Sequence, residues 1–237
     1  MKIKTLLFIP VSILLLQACK KSNSDAPAPA PIAYYKFDND YLTNDISSLL
    51  TGQLVGNAVS STDSFNVSFA CLSLSGDGYV EVKHSDLIDF GSSQFTLSIW
   101  IRPTKISGAY LVTKIADAST DAPYSLDIHP GVVRAFVRTT TAEQFLIQGI
   151  TPIKPGVWQH IAATLSSTQL TVYYNGKKEG SIKVDRPLAV SKGKLNIGGS
   201  ETYFPAASFN GRVDNVKIFD RALTDGQVNE LYKNYKN

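Results

Sequence analysis

The chain has 237 residues, 43% of them hydrophobic and 18% charged, with a formal net charge of +3. This is ordinary globular composition, and the length suffices for a single large core. Much of the small positive excess sits in Lys2, Lys4, Lys20 and Lys21 near the start, so no basic surface for nucleic acid is implied.

The first 18 residues read as a leader, with Lys2 and Lys4 followed by an apolar run over residues 5–16. About a dozen apolar residues fall short of the ~20 that span a bilayer. Directly after them, Leu16, Gln17, Ala18 and Cys19 resemble the bacterial lipobox, with Gln17 departing from its commonest pattern. The resemblance implies a bacterial lipoprotein cut before Cys19 and lipidated there. Several acyl chains on one cysteine anchor durably, because each buried methylene contributes about 0.8 kcal/mol. The expected location is extracytoplasmic, at the outer membrane, the cell surface or the periplasmic face, with the membrane a partner only through the N-terminal lipid. Residues 19–31 then read as the lipidated cysteine and a semi-rigid tether, spaced by Pro27, Pro29 and Pro31. With Cys19 so used, Cys71 has no intramolecular partner and reads as a small buried hydrophobe on a strand.

From residue 32 to 237 short alternating apolar runs are separated by Gly, Asn, Asp, Ser and Pro. The clearest places Phe95, Leu97, Ile99 and Ile101 on one face, and another does so for Leu170, Val172 and Tyr174. Further strands are expected at 32–37, 71–74, 79–82, 110–115, 124–128, 132–137, 144–150, 158–165, 179–184, 194–197 and 211–219. Asn175-Gly176 tolerates the positive φ angles of a tight hairpin. Thr224 is placed to cap one terminal helix over 225–232, where Val228, Leu231 and Tyr232 fall at helical spacing. A dozen strands without helical crossovers predict an all-β fold, a two-sheet antiparallel jelly-roll β-sandwich with a short C-terminal helix.

Four segments resemble the laminin-G-like (LamG) jelly rolls of the concanavalin A-like lectin/glucanase superfamily. They run from Cys71 through Gly76, Asp77 and Gly78 to Val82, from Phe95 through Trp100 to Ile101, from Gly156, Trp158 and His160 to Gly176, and from Leu195 to Leu223. Their order and spacing cover nearly the whole of the mature domain. The resemblance implies the jelly roll and leaves function open among carbohydrate binding, protein adhesion and accessory roles beside glycosidases.

Similar jelly rolls hold a calcium ion near the sheet ends, and the matching residues here are Asp38 and Asp214. Six to eight oxygen ligands at ~2.4 Å would complete such a structural calcium site. Asp214 also shares strand parity with Val216 and Ile218, so in an extended strand it points the same way as these apolar side chains and needs a partner: backbone donors, Arg212, Arg221 or a cation. Asp77, in Gly76-Asp77-Gly78, reads as turn chemistry.

The glucanase branch carries paired carboxylates about 5 Å apart along one strand. Glu81, Glu143, Glu179 and Glu201 are each isolated, and His84, His129 and His160 have no metal-ligand spacing. No catalytic residues are assigned, and an enzyme is not expected. Sugar binding calls for loop aromatics, which points to Tyr203 and Phe204 in the 201–205 loop, to Tyr110, and to the 117–121 turn. The expectation is a non-catalytic, membrane-anchored, lectin-like carbohydrate-binding module at the cell envelope. The alternatives are an adhesive or structural protein-binding module and a divergent glycosidase or polysaccharide lyase, so the partner is a glycan or a surface protein.

Overall fold

The computed structural model describes residues 26–38, 46–61, 70–91, 94–115, 123–200, 202 and 205–235. Among these residues thirteen strands follow one another: β1 (Ala33–Tyr35), β2 (Gly52–Ser61), β3 (Cys71–Val82), β4 (Phe95–Pro103), β5 (Ala109–Lys114), β6 (Tyr124–Ile128), β7 (Val132–Arg138), β8 (Gln144–Pro152), β9 (Gln159–Leu165), β10 (Gln169–Tyr174), β11 (Lys177–Lys183), β12 (Leu195–Ile197) and β13 (Asn210–Phe219). Helix α1 (Asp225–Lys233) closes the chain, and two short 3-10 turns lie at Ser48–Leu50 and Asp86–Ile88. No helix among the described residues is long and apolar enough to cross a membrane.

The strands form one antiparallel path, β11-β10-β9-β4-β13-β3-β12-β5-β6-β7-β8, with β1 beside β13 and β2 beside β3. The path doubles into two layers at β3. Leu72 to Ser75 of that strand pair with β13, whereas Val80 to Val82 pair with β12. Gly76, at φ +89°, and Gly56 of β2, at φ +70°, sit where the two strands turn the corner. A Cβ on Gly56 would stand 2.0 Å from the Asp77 carbonyl oxygen, so the close approach itself requires glycine. Asp77 serves this corner, its carboxylate accepting from Ser75 Oγ at 2.6 Å and Asn57 Nδ2 at 2.7 Å. The two segments expected at 71–74 and 79–82 are thus one bent strand. Cys71 is buried on it.

Alternation decides what lies between the layers. Leu97, Ile99, Ile101, Ile161, Ala163, Leu170 and Val172 of the first layer meet Leu111, Val112, Leu126, Ile128, Val133, Ala135, Leu195 and Ile197 of the second in one core. The opposite parity of the first layer carries Trp100, His160, Ala162 and Tyr173, and α1 covers it. Val228 packs with Ala162, Tyr173, Phe219 and Leu223, while Trp100 stacks on Tyr232 and Tyr235 at ring separations of 5.6 and 4.1 Å. The helix begins in a complete capping box between Thr224 and Gln227. Asn175 and Gly176, at φ +49° and +72°, make the expected hairpin. A Cβ on Gly176 would meet Tyr232 Cβ at 2.9 Å, so the turn also seats the helix.

Candidate functional site

Between β5, β6 and β7 the core claims Leu111, Val112, Leu126, Ile128, Val133 and Ala135, which turns Tyr110, Asp127 and Arg134 to the outer face of the second layer. Register then sets them side by side, because Tyr110 is the Cα partner of Asp127, and Asp127 of Arg134. With Gly108, Ala109, Ile128, His129 and Ala207 they line a cleft of about 380 Å³ at the loop end of that layer.

The cleft is fixed by its backbone. His129 N–H donates to the Val132 carbonyl at 2.9 Å across a turn in which Gly131 has φ +86°. Tyr110 N–H donates to the Ala207 carbonyl at 3.1 Å, which ties the loop before β13 to β5. Asp127 Oδ1 accepts from Arg134 Nε at 2.6 Å and Oδ2 from Ser125 Oγ at 3.0 Å. Burial pushes the Asp127 carboxyl above its usual range, and the Arg134 and Ser125 bonds offset part of that rise. A guanidinium whose Nε is committed still carries four N–H donors, so an oriented cation, a buried carboxylate and a half-buried phenol ring converge on one concavity.

The same outer face continues as a buried polar row. Asn196 of β12 is the Cα partner of Thr113, which in turn is the partner of Ser125. All three are buried, and among the described residues neither amide atom of Asn196 has a hydrogen-bond partner.

A group of His84, Asp86 and Asp89 brings three ligand-type atoms within 4.8 Å of one another. Two lysines already supply positive charge there. Buried Lys114 pairs with Asp89 and lies 3.2 Å from His84 Nδ1, and Lys192 lies 3.2 Å from Nε2 and 3.3 Å from Asp86. Hydrogen bonding and charge from Lys192, then the His84 contact, hold the Asp86 carboxyl below its usual range.

Of the residues expected from sequence, Tyr110 lines the cleft. Tyr203, Phe204, Glu201, the 117–121 turn and Cys19 lie outside the described residues, although Ala207 of the Tyr203 loop reaches the cleft. Asp38 is exposed just beyond β1. Asp214 is fully buried, but the parity argument misplaced it. A bulge between Asp214 and Lys217, with Asn215 at φ +48°, inserts one residue, so Asp214 pairs with Trp100 on the outer face while Val216 and Ile218 stay in the core. Its oxygens accept from Asn215 N–H at 2.7 Å and Tyr235 hydroxyl at 2.8 Å. Glu81, Glu143 and Glu179 are engaged separately, by Lys194, by Arg186 with Thr141, and by the β8 backbone. Sequence reasoning missed Asp127, Arg134 and Asn196. Their signal was a polar residue at outward parity in an otherwise apolar strand, legible only once the strands are paired.

Residues 74–229, from β3 into α1, match the family Laminin_G_3, described as the concanavalin A-like lectin/glucanases superfamily. The chain belongs to this family. A curated relative of the laminin-G domain, usherin of Rattus norvegicus, is 24% identical over 154 residues, which is 60% of this chain and 3% of usherin. Among solved structures, domain 4 of AbnA, a GH43 extracellular arabinanase from Geobacillus stearothermophilus in complex with arabinotriose, is 19% identical with a TM-score of 0.67, over 86% of this chain and 98% of that one. The binding domain of Paraclostridial Mosquitocidal Protein 1 is 19% identical with a TM-score of 0.71, over 88% and 53%. The binding domain of botulinum neurotoxin serotype G is 14% identical with a TM-score of 0.65, over 86% and 50%. This laminin-G domain thus spans about half of each toxin binding domain and a small part of usherin, and with the three solved structures it shares the fold.

Proposed function

We propose that this laminin-G domain is a non-catalytic, lectin-like module that binds a glycan in the Tyr110 cleft, held at the cell envelope by lipid on Cys19. The observation that carries the reading is the meeting of Tyr110 with the hydrogen-bonded Asp127–Arg134 pair in one concavity. A sugar offers an apolar face for a ring and hydroxyls that both donate and accept, and this set answers both. The arabinotriose complex of AbnA domain 4 supports it as a sugar-bound example of the same fold. A glycan array probed with the soluble domain tests the reading, with Tyr110→Ala and Arg134→Ala expected to abolish any specific signal.

An adhesive role is favoured by a different observation, the apolar side chains on edge strand β8, where Leu146 is 43% and Ile150 78% exposed. A silent array together with retention of an envelope protein that Ile150→Ser abolishes would select that role. Calcium at Asp38 and Asp214 is likewise proposed on the family resemblance alone, and it would have to share the Asp214 oxygens with Asn215 N–H and the Tyr235 hydroxyl. A melting temperature that calcium raises and Asp38→Ala renders calcium-insensitive would support it, and one that chelator and calcium leave unmoved would refute it.

A further inference from the structure

The two outer faces of the sandwich are used differently. On the first layer, residues 26–28 lie along α1: Gln227 Nε2 donates to the carbonyls of Ala26 and Pro27 at 3.3 and 3.2 Å, and Ala28 packs into the cluster of Val228, Leu223 and Tyr173. Ile32 N–H then donates to the Ile218 carbonyl at 2.8 Å and leads into β1. The N-terminal approach and the C-terminal helix therefore share one face. The cleft opens on the other, because Tyr110, Asp127 and Arg134 project from the second layer with the whole core between.

Six residues separate Cys19 from Ala26, and the seven steps between the two reach at most about 25 Å at full extension. Packed layers stand ~10 Å apart, and side chains on both outer surfaces bring the separation of those surfaces to roughly 20 Å. A tether this short, leaving from one face, biases which side of the sandwich looks at the lipid. We infer that the domain is held with α1 and the outer face of the first layer toward the membrane and with the Tyr110 cleft directed away from it. The orientation rests on the proposed lipid at Cys19. It adds that the ligand is taken from the space beyond the anchoring membrane and not from that membrane's own headgroups.

The test uses the full chain, expressed with its leader and reconstituted into phosphatidylcholine/phosphatidylglycerol vesicles carrying a rhodamine-labelled lipid as energy acceptor. Donor dyes are placed one at a time at exposed positions, Lys233→Cys and Lys178→Cys beside α1, and Leu146→Cys and His129→Cys on the cleft side; Cys71 is buried. With faces roughly 20 Å apart, transfer from positions 233 and 178 is expected to exceed that from 146 and 129 by about twofold or more. Equal or reversed transfer in acylated protein overturns the orientation and leaves the lipid reading intact. Protein that carries no acyl group by mass spectrometry, or that stays on vesicles as Cys19→Ser, overturns the lipid reading and the orientation with it.

Discussion

The Tyr235 hydroxyl donates to Oδ2 of Asp214 at 2.8 Å and so ties the end of helix α1 to a buried carboxylate in β13. The ring of Tyr235 stacks on Trp100 at 4.1 Å, a contact that phenylalanine keeps. Tyr235→Phe therefore isolates the hydrogen bond. Removing a donor from a buried charged acceptor costs about 1–3 kcal/mol, which for a domain of this size lowers Tm by roughly 3–10 °C. Calorimetry of the variant checks this, and an unchanged Tm would mean that the bond contributes nothing net.

His160 is buried against Trp100, with Nε2 2.8 Å from Ser98 Oγ. Burial first, and the charge of Lys217 second, push its pKa from 6.5 down to about 3. The folded state therefore holds the ring neutral while the unfolded chain takes up a proton below pH 6.5. The sign follows: stability is full above about 6.5 and is lost as pH falls toward 3, with a slope near ~1.4 kcal/mol per pH unit from this group. Urea melts of wild type and His160→Gln at pH 7, 5.5 and 4 should show a flatter acid limb in the variant.

Glu179 of β11 joins the two free edges of the sheet path. Its carboxylate accepts from Ile150 N–H at 2.7 Å, Thr151 N–H at 2.6 Å and Thr151 Oγ1 at 2.8 Å, all on β8. This occupies donors that an open edge would present to another chain. Gly149 leaves room for the approach, since a Cβ there would stand 3.2 Å from Glu179 Oε2 and 2.6 Å from Val133 Cγ1. Glu179→Ala is expected to cost about 1–2 kcal/mol, because water replaces part of what the charged acceptor supplied. It should also speed aggregation near Tm, read by light scattering.

At the start of α1, Thr224 Oγ1 accepts from Gln227 N–H at 3.2 Å, and Gln227 Oε1 from Thr224 N–H at 3.0 Å. Thr224→Ala should lose about 1 kcal/mol, and Gln227→Ala should in addition free residues 26–28. Hydrogen exchange at Leu231 and Tyr232 would report both.

The fold was largely legible because its strands alternate strictly: Phe95, Leu97, Ile99 and Ile101 are all core residues, as their period of two requires. Strand β2 escaped notice because it is an edge strand whose side chains are mostly half-exposed or exposed, so alternation leaves little trace in it. Asp214 shows where periodicity fails by construction, since a single bulge at Asn215 reverses the parity that the argument depends on. The cleft was legible only at Tyr110. Asp127 and Arg134 are seven residues apart on adjacent strands, and their pairing comes from the register of β6 with β7, which no local pattern encodes.

The most direct test of the central claim is titration calorimetry of residues 19–237 carrying Cys19→Ser, with a glycan selected from an array, comparing wild type with Tyr110→Ala and Arg134→Ala. The account predicts that each variant binds about tenfold or more weakly, a loss near 1.4 kcal/mol, with Tyr110→Ala keeping its Tm and Arg134→Ala, which strips the buried Asp127 carboxylate of its partner, folding with a lowered one. Full affinity in both variants would contradict the cleft as the binding site.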